Sequence, residues 1–147
     1  MNAASVKGLF FIDTNVFVYT FDRTSPDKQR IAREWVRQAL LTQRGMTGSQ
    51  VVQEFMNVAL KKFEHPMGVT EAREYLNGVM RPLCQHFPGM PSFDRALLIH
   101  EETSYAWYDA LIVAAASESK CSWLISEDLQ HGRKIGSVTV HNPFRPA

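Results

Sequence analysis

Cysteine is scarce in this chain, with Cys84 and Cys121 the two among 147 residues. So far apart, they form neither a disulfide framework nor a Cys-x-x-Cys redox or zinc motif, and buried free thiols in a reducing cytosol are expected. Long apolar runs are missing as well. No segment approaches the ~20 uninterrupted apolar residues of a membrane span. The N-terminus offers only Lys7 before a short apolar run broken by Asp13, too brief and too polar for a secretory signal. A soluble cytoplasmic protein is therefore expected. An excess of charge of one sign is also lacking: 16 Lys and Arg against 15 Asp and Glu leave a net +1. That balance excludes a broad basic nucleic-acid footprint and confines polyanion binding to local charge. One local bias stands between Asp22 and Arg44, where Arg23, Lys28, Arg30, Arg33, Arg37 and Arg44 outnumber Asp22, Asp27 and Glu34. A solvated helix face accounts for it at least as well as a binding surface does. Internal repeats, low-complexity tracts and inter-domain linkers are absent.

What is present is an ordinary globular composition, 45% apolar and 21% charged, at a length that fits one domain with a real core. Leu9 to Ile12 is continuously apolar, which suits a central strand covered on both faces. Asp27 to Leu41 places Ile31, Ala32, Trp35 and Ala39 at helical spacing, with Pro26 near the first turn and Gly45 as the stop. Met46-Thr47 is at most a short strand. Ser49 to Phe63 is a second amphipathic helix, with Thr47 or Ser49 placed to cap it. A helix over Thr70 to Met80, a strand over Leu83 to Phe87 and a helix over Ser92 to Glu102 follow. The helix from about Trp107 to Ser119 is apolar on nearly every side, so it is buried or forms an interface. Ser122 to Ser126 and Ser137 to Val140 close the chain as short strands around a polar loop, Glu127 to Lys134. Strands alternating with helices, without an Asn-Gly hairpin signal between adjacent strands, predict an α/β fold with a mainly parallel sheet of four to five strands covered on both faces. Ligands of such sheets bind outside the carboxyl ends of the strands.

Four acids stand beside apolar stretches, and carboxylates there are costly unless paired or metal-bound. Asp13 follows the first strand and precedes a helix, so it is an N-cap or a metal ligand. Glu54 lies at the edge of its helix's apolar arc, roughly 40° past Val58, where it reaches the rim of the core or pairs with Lys61 or Lys62. Asp109 caps the apolar helix or adds charge to its first turn. Asp128 shares a loop with Glu127, and either acid could simply be solvated.

In order and setting, Phe11-Ile12-Asp13-Thr14-Asn15-Val16, Gln53-Glu54-Phe55, Tyr108-Asp109-Ala110 through Ala116, and Leu124-Ile125-Ser126-Glu127-Asp128-Leu129 resemble the PIN-domain ribonucleases, and within them the VapC-type toxins. The resemblance runs from about Leu9 to Phe144. It implies a three-layer α/β/α domain in which Asp13, Glu54 and Asp109 hold metal. The fourth acid of the pattern follows a Thr or Ser by two places, which selects Asp128 counted from Ser126, with Glu127 as the competitor. Mg²⁺, with Mn²⁺ as a substitute, fits an all-oxygen set that leaves room for water and phosphate. Zinc does not, because His65, His86, His100, His131 and His141 lack a pairing such as His-Glu-x-x-His. Asn15 and Ser126 orient a water or a phosphate, or merely make local turn bonds. The resemblance further implies RNA as substrate, a small antitoxin as partner and a homodimer within that complex. Two rivals stand beside it. A haloacid-dehalogenase-like phosphatase also uses an Asp after its first strand, but normally needs a second Asp where this chain has Asn15. A non-catalytic RNA-binding or interaction module of the same fold would keep the framework, with Trp35 and Trp107 either stacking on bases or packing in the core.

Overall fold

The computed structural model describes residues 1–146. Its centre is β1 (Phe10–Ile12), whose three side chains are all buried. Hydrogen-bonded parallel to it are β2 (Gly45–Gly48) on one side and β4 (Trp123–Ile125) on the other. Such a strand has no solvent face, which is why its sequence is continuously apolar instead of alternating. Beyond β2 lies β3 (Cys84–His86); beyond β4 lie β6 (Val138–His141) and then β5 (Lys134–Ile135), giving the order β3-β2-β1-β4-β6-β5. The chain thus winds outward from β1 in one direction and returns to continue from β4 in the other. The strand order reverses at the β1/β4 boundary, the crevice where ligands of open α/β sheets bind.

The connections are α1 (Thr14–Tyr19) and α2 (Pro26–Thr42) after β1, then α3 (Ser49–Lys61), α4 (Val69–Tyr75) and α5 (Arg81–Leu83) after β2. After β3 come α6 (Met90–Thr103) and α7 (Trp107–Glu118). The pleat of β1 shows how both faces are covered. Phe10 meets the Trp35 ring of α2 edge-on at 5.2 Å, while Phe11 lines a small void with Leu111, Ile112 and Ala115 of α7. Every residue from Ala110 to Ala116 is buried, because α7 lies between the sheet and α6. Trp35 is a core residue, and Trp107 is half-buried against Phe93.

The α/β class and the covered parallel sheet agree with the sequence reading, and several details differ. The sheet has six strands, not four or five. The extra one, β5, pairs antiparallel with β6 through a two-residue turn in which Gly136 takes φ +58° and Ser137 follows. A Gly at the first central position is a hairpin signal in its own right. Neither Thr47 nor Ser49 caps α3: the N-cap is Gly48, and Thr47 instead donates its hydroxyl to the Ile12 carbonyl at 2.9 Å. Between α4 and α5 the chain passes through a π-helical turn, Leu76–Met80, just before Pro82, whose missing N–H cannot continue the regular ladder. Both cysteines are free, but only Cys121 is buried; Cys84 is half-exposed.

Gly45 does not stop α2, which ends at Gln43 in the left-handed conformation. It is a contact point: a Cβ there would lie 2.4 Å from both the Ala39 Cβ and the Phe10 ring. Neither neighbour is the far end of a flexible chain. Gly45→Ala is therefore expected to destabilise the protein by about 3 kcal/mol, read as a lower midpoint in denaturant unfolding with an unchanged slope.

Candidate active site

Asp13 leaves the end of β1 in extended conformation and caps α1, one carboxylate oxygen accepting the Thr14 N–H at 2.7 Å. Its other oxygen accepts the Ser126 hydroxyl at 2.8 Å, across the β1/β4 boundary. The cap and the site are thus one side chain. Asn15, in the first turn of the helix, carries the link further. Its amide nitrogen donates to Asp13 at 3.3 Å and to Asp128 at 3.1 Å, and also approaches the Ser126 hydroxyl at 3.3 Å. Its carbonyl oxygen accepts the Glu127 backbone N–H at 3.1 Å. Asn15 and Ser126 therefore clamp two of the anticipated acids together, more than turn bonds would.

Glu54 arrives from α3. It makes no pair with Lys61 or Lys62 and instead accepts the Thr14 hydroxyl at 2.6 Å and the Gln50 amide at 2.9 Å. Asp109 stands in the first turn of α7, where the helix dipole favours an anion, and does not cap it. It makes no side-chain hydrogen bond among the described residues.

Asp128 and Glu54 each act electrostatically on both Asp13 and Asp109. Burial lifts the Asp13 carboxyl to about 7; the Ser126 and Thr14 hydrogen bonds oppose that rise, and the charges of Asp128 and Glu54 add to it. Asp109 is also raised, first by burial and then by Asp128 and Glu54. Glu127 behaves otherwise. Its carboxylate turns away to Lys28 and to the Tyr19 hydroxyl, both at 2.6 Å, and these bonds outweigh its burial and hold it below the ordinary glutamate range. Adjacent in sequence, Asp128 and Glu127 belong to different clusters.

Among the described residues, no lysine, arginine or histidine pairs with Asp13, Glu54, Asp109 or Asp128. An anionic cluster at the carboxyl ends of the central strands without a countercharge fits a hard dication, and its donors are all oxygen. As the side chains stand, no three His, Cys, Asp or Glu among the described residues form a group that could hold an ion. Asp13 and Glu54 have turned their oxygens to Ser126, Thr14 and Gln50. None of the five histidines pairs with these four acids; His86 pairs with Glu118 at 2.9 Å, and the His131 and His141 rings lie 5.3 Å apart.

Nothing in the sequence pointed to the parts played by Thr14 or by the Lys28–Tyr19–Glu127 cluster. Gln50 was also missed, although it carried a signal, four residues before Glu54 on the same helical face.

Residues 10–135 match the PIN domain family. The chain belongs to that family. PIN domains are generally nucleases and generally use divalent metals, and the haloacid-dehalogenase alternative falls with this assignment. A solved structure described as a toxin-antitoxin complex from Klebsiella pneumoniae shares the PIN fold of this chain. The match covers 92% of this chain and 98% of the other, with a TM-score of 0.62 and 16% identity. No curated protein matches the chain. No helix among the described residues of this PIN domain is long and apolar enough to cross a membrane.

Proposed function

We propose that this PIN domain is a divalent-metal-dependent ribonuclease and the toxin of a toxin–antitoxin pair. The observation that carries the reading is the Asn15 amide joining Asp13 to Asp128 across the strand-order reversal. Glu54 and Asp109 lie close enough to add to the site's charge. Asp13, Glu54, Asp109 and Asp128 would hold Mg²⁺ or Mn²⁺. When bound, such an ion activates a water, neutralises charge on the phosphoryl oxygens and supports the leaving oxygen. The chain's own residues do the rest: Ser126 and Asn15 fix the Asp13 and Asp128 carboxylates, and Thr14 and Gln50 fix that of Glu54. An antitoxin partner, a homodimer and a cytoplasmic setting complete the reading. The toxin-antitoxin neighbour supports the antitoxin partner; the homodimer follows from the motifs that resemble VapC-type toxins, and the cytoplasmic setting from the composition of the chain.

The test is cleavage of total RNA by purified protein, supported by Mg²⁺ or Mn²⁺ and stopped by EDTA. Asp109→Asn should lose activity by about 100-fold or more, the range in which metal electrostatics acts. RNA bound without being cut, at any metal concentration, would put the non-catalytic module in the nuclease's place. Growth arrest on expression, relieved by the product of a neighbouring gene, tests the toxin assignment separately.

A further inference from the structure

Gln50 opens the first turn of α3 and sends its amide nitrogen to two acceptors on two elements. One is the Glu54 carboxylate at 2.9 Å, one turn along the same helix; the other is the Tyr108 carbonyl at 3.1 Å, in the first turn of α7. That carbonyl belongs to the residue immediately before Asp109. A single amide group therefore connects one candidate metal-binding acid to the backbone that carries another. The amide orientation follows from the network: turned over, its oxygen would face two acceptors and no donor.

The other end of the side chain makes no bond to the described part of the protein. Gln50 Oε1 is buried and has no hydrogen-bond partner among the described residues. A buried acceptor left unpaired costs about 1–3 kcal/mol. Beside Gln50, a small void is lined by Phe11, Leu111, Ile112 and Ala115 together with Gly48, His86 and Pro88. An apolar side chain of the same length would fill the same space without the two amide donors. The two contacts this side chain makes are both made by its amide nitrogen.

We propose that Gln50 is a positioning residue for Glu54, holding its carboxylate in register with the first turn of α7 so that Glu54 and Asp109 meet one ion. Thr14 holds the second Glu54 oxygen at 2.6 Å, so the carboxylate is fixed from both sides. This rests on the metal-dependent reading above. Groups that orient a metal ligand without touching the metal typically change its affinity about 10- to 100-fold.

The experiment uses the full chain with Mn²⁺ alone as probe, titrated calorimetrically, with Gln50→Met as the variant and Glu54→Gln as the reference for loss of the ligand itself. Gln50→Met is expected to weaken Mn²⁺ binding about tenfold while the metal-free melting temperature stays the same or rises. In RNA cleavage, the Mg²⁺ concentration for half-maximal rate should rise by the same factor. The rate at saturating Mg²⁺ should stay within about twofold, the pattern of weakened binding without loss of chemistry. Gln50→Ala removes the same donors without demanding space and is measured alongside, should the methionine not fit. Wild-type Mn²⁺ affinity in both variants, with wild-type protein binding metal and cutting RNA, would overturn the role of Gln50 and leave the nuclease reading standing. A fall in melting temperature with unchanged affinity would mean a purely structural side chain, and overturns it equally. If the wild type itself neither bound Mn²⁺ nor cut RNA, both readings would fall.

Discussion

Replacing Asp13 by asparagine is expected to remove metal-dependent cleavage, by about 100-fold or more, and at the same time to stabilise the metal-free protein above neutral pH. Both effects have one cause. Asp13 is almost wholly buried, and burial lifts its carboxyl from 3.8 to about 7 in the folded protein. In the unfolded chain it ionises near ~4. Between those values the folded state holds a proton that the unfolded state has released, so stability falls as pH rises through that window. Fully expressed above pH ~7, the penalty approaches about 4 kcal/mol as an upper bound, at roughly 1.4 kcal/mol per pKa unit. An asparagine at this position would carry no charge to bury, and the Ser126 hydroxyl could turn to accept from its amide. The difference in unfolding free energy between Asp13→Asn and wild type, both in EDTA, should be small near pH ~4 and grow in favour of the variant up to about pH 7. Saturating Mg²⁺ should narrow it at high pH, because the ion binds only the wild-type anion strongly. The same protonation sets the pH dependence of activity: below about 7 a proton competes with the ion for Asp13, so cleavage at limiting Mg²⁺ should rise with pH through that region. A variant that cuts RNA like wild type would remove Asp13 from the site. A flat stability difference across pH would mean that the carboxylate is not desolvated as described.

The legibility of this site in the sequence follows the range of the interactions involved. Asp13 and Asp109 are readable because their surroundings are local: an apolar strand before one, an apolar helix after the other. Glu54 is readable as an edge position on a periodic helix, but its partners are not. The tempting pair with Lys61 or Lys62 rests on sequence proximity, whereas Thr14 reaches it across 40 residues once α1 and α3 pack. Gly45 illustrates the same limit. A glycine after a helix resembles a stop signal, and only the approach of Ala39 and Phe10 shows why no side chain fits. The β5–β6 hairpin is a different kind of omission, since Gly136-Ser137 is a local signal visible in the sequence.

The sharpest separation expected is between two neighbouring acids. Asp128→Asn should abolish cleavage to the same extent as Asp13→Asn, whereas Glu127→Gln should retain it within a few-fold and lose stability instead. From the sequence the two are nearly equivalent; what divides them is Lys28, 99 positions away, which reaches Glu127 at 2.6 Å with the Tyr19 hydroxyl beside it. The Lys28 ammonium also lies 4.8 Å from the centre of the Tyr19 ring and 5.7 Å from that of Phe144, so the cluster ties α2 to the loop after β4 and to the C-terminal segment. The Lys28 and Glu127 side chains remain 38% and 26% exposed, so water screens the pair and its loss should cost only about 1 kcal/mol. Because the folded-state pKa of Glu127 is lowered, this contribution is present above the unfolded glutamate value and is lost as pH falls through the folded one. The stability gap between wild type and Glu127→Gln should therefore close in acid, as the gap for Asp13→Asn does, but with the wild type and not the variant the more stable at higher pH, and Lys28→Met should reproduce it. Asp128 has no such cation. Its carboxylate accepts from Asn15 and adds its charge to Asp13 and Asp109, so neutralising it removes part of what attracts a dication and relieves repulsion within the cluster. Cleavage lost in Glu127→Gln with stability intact, and kept in Asp128→Asn, would reverse the assignment and make the Lys28 contact an inhibitory mask over the fourth ligand.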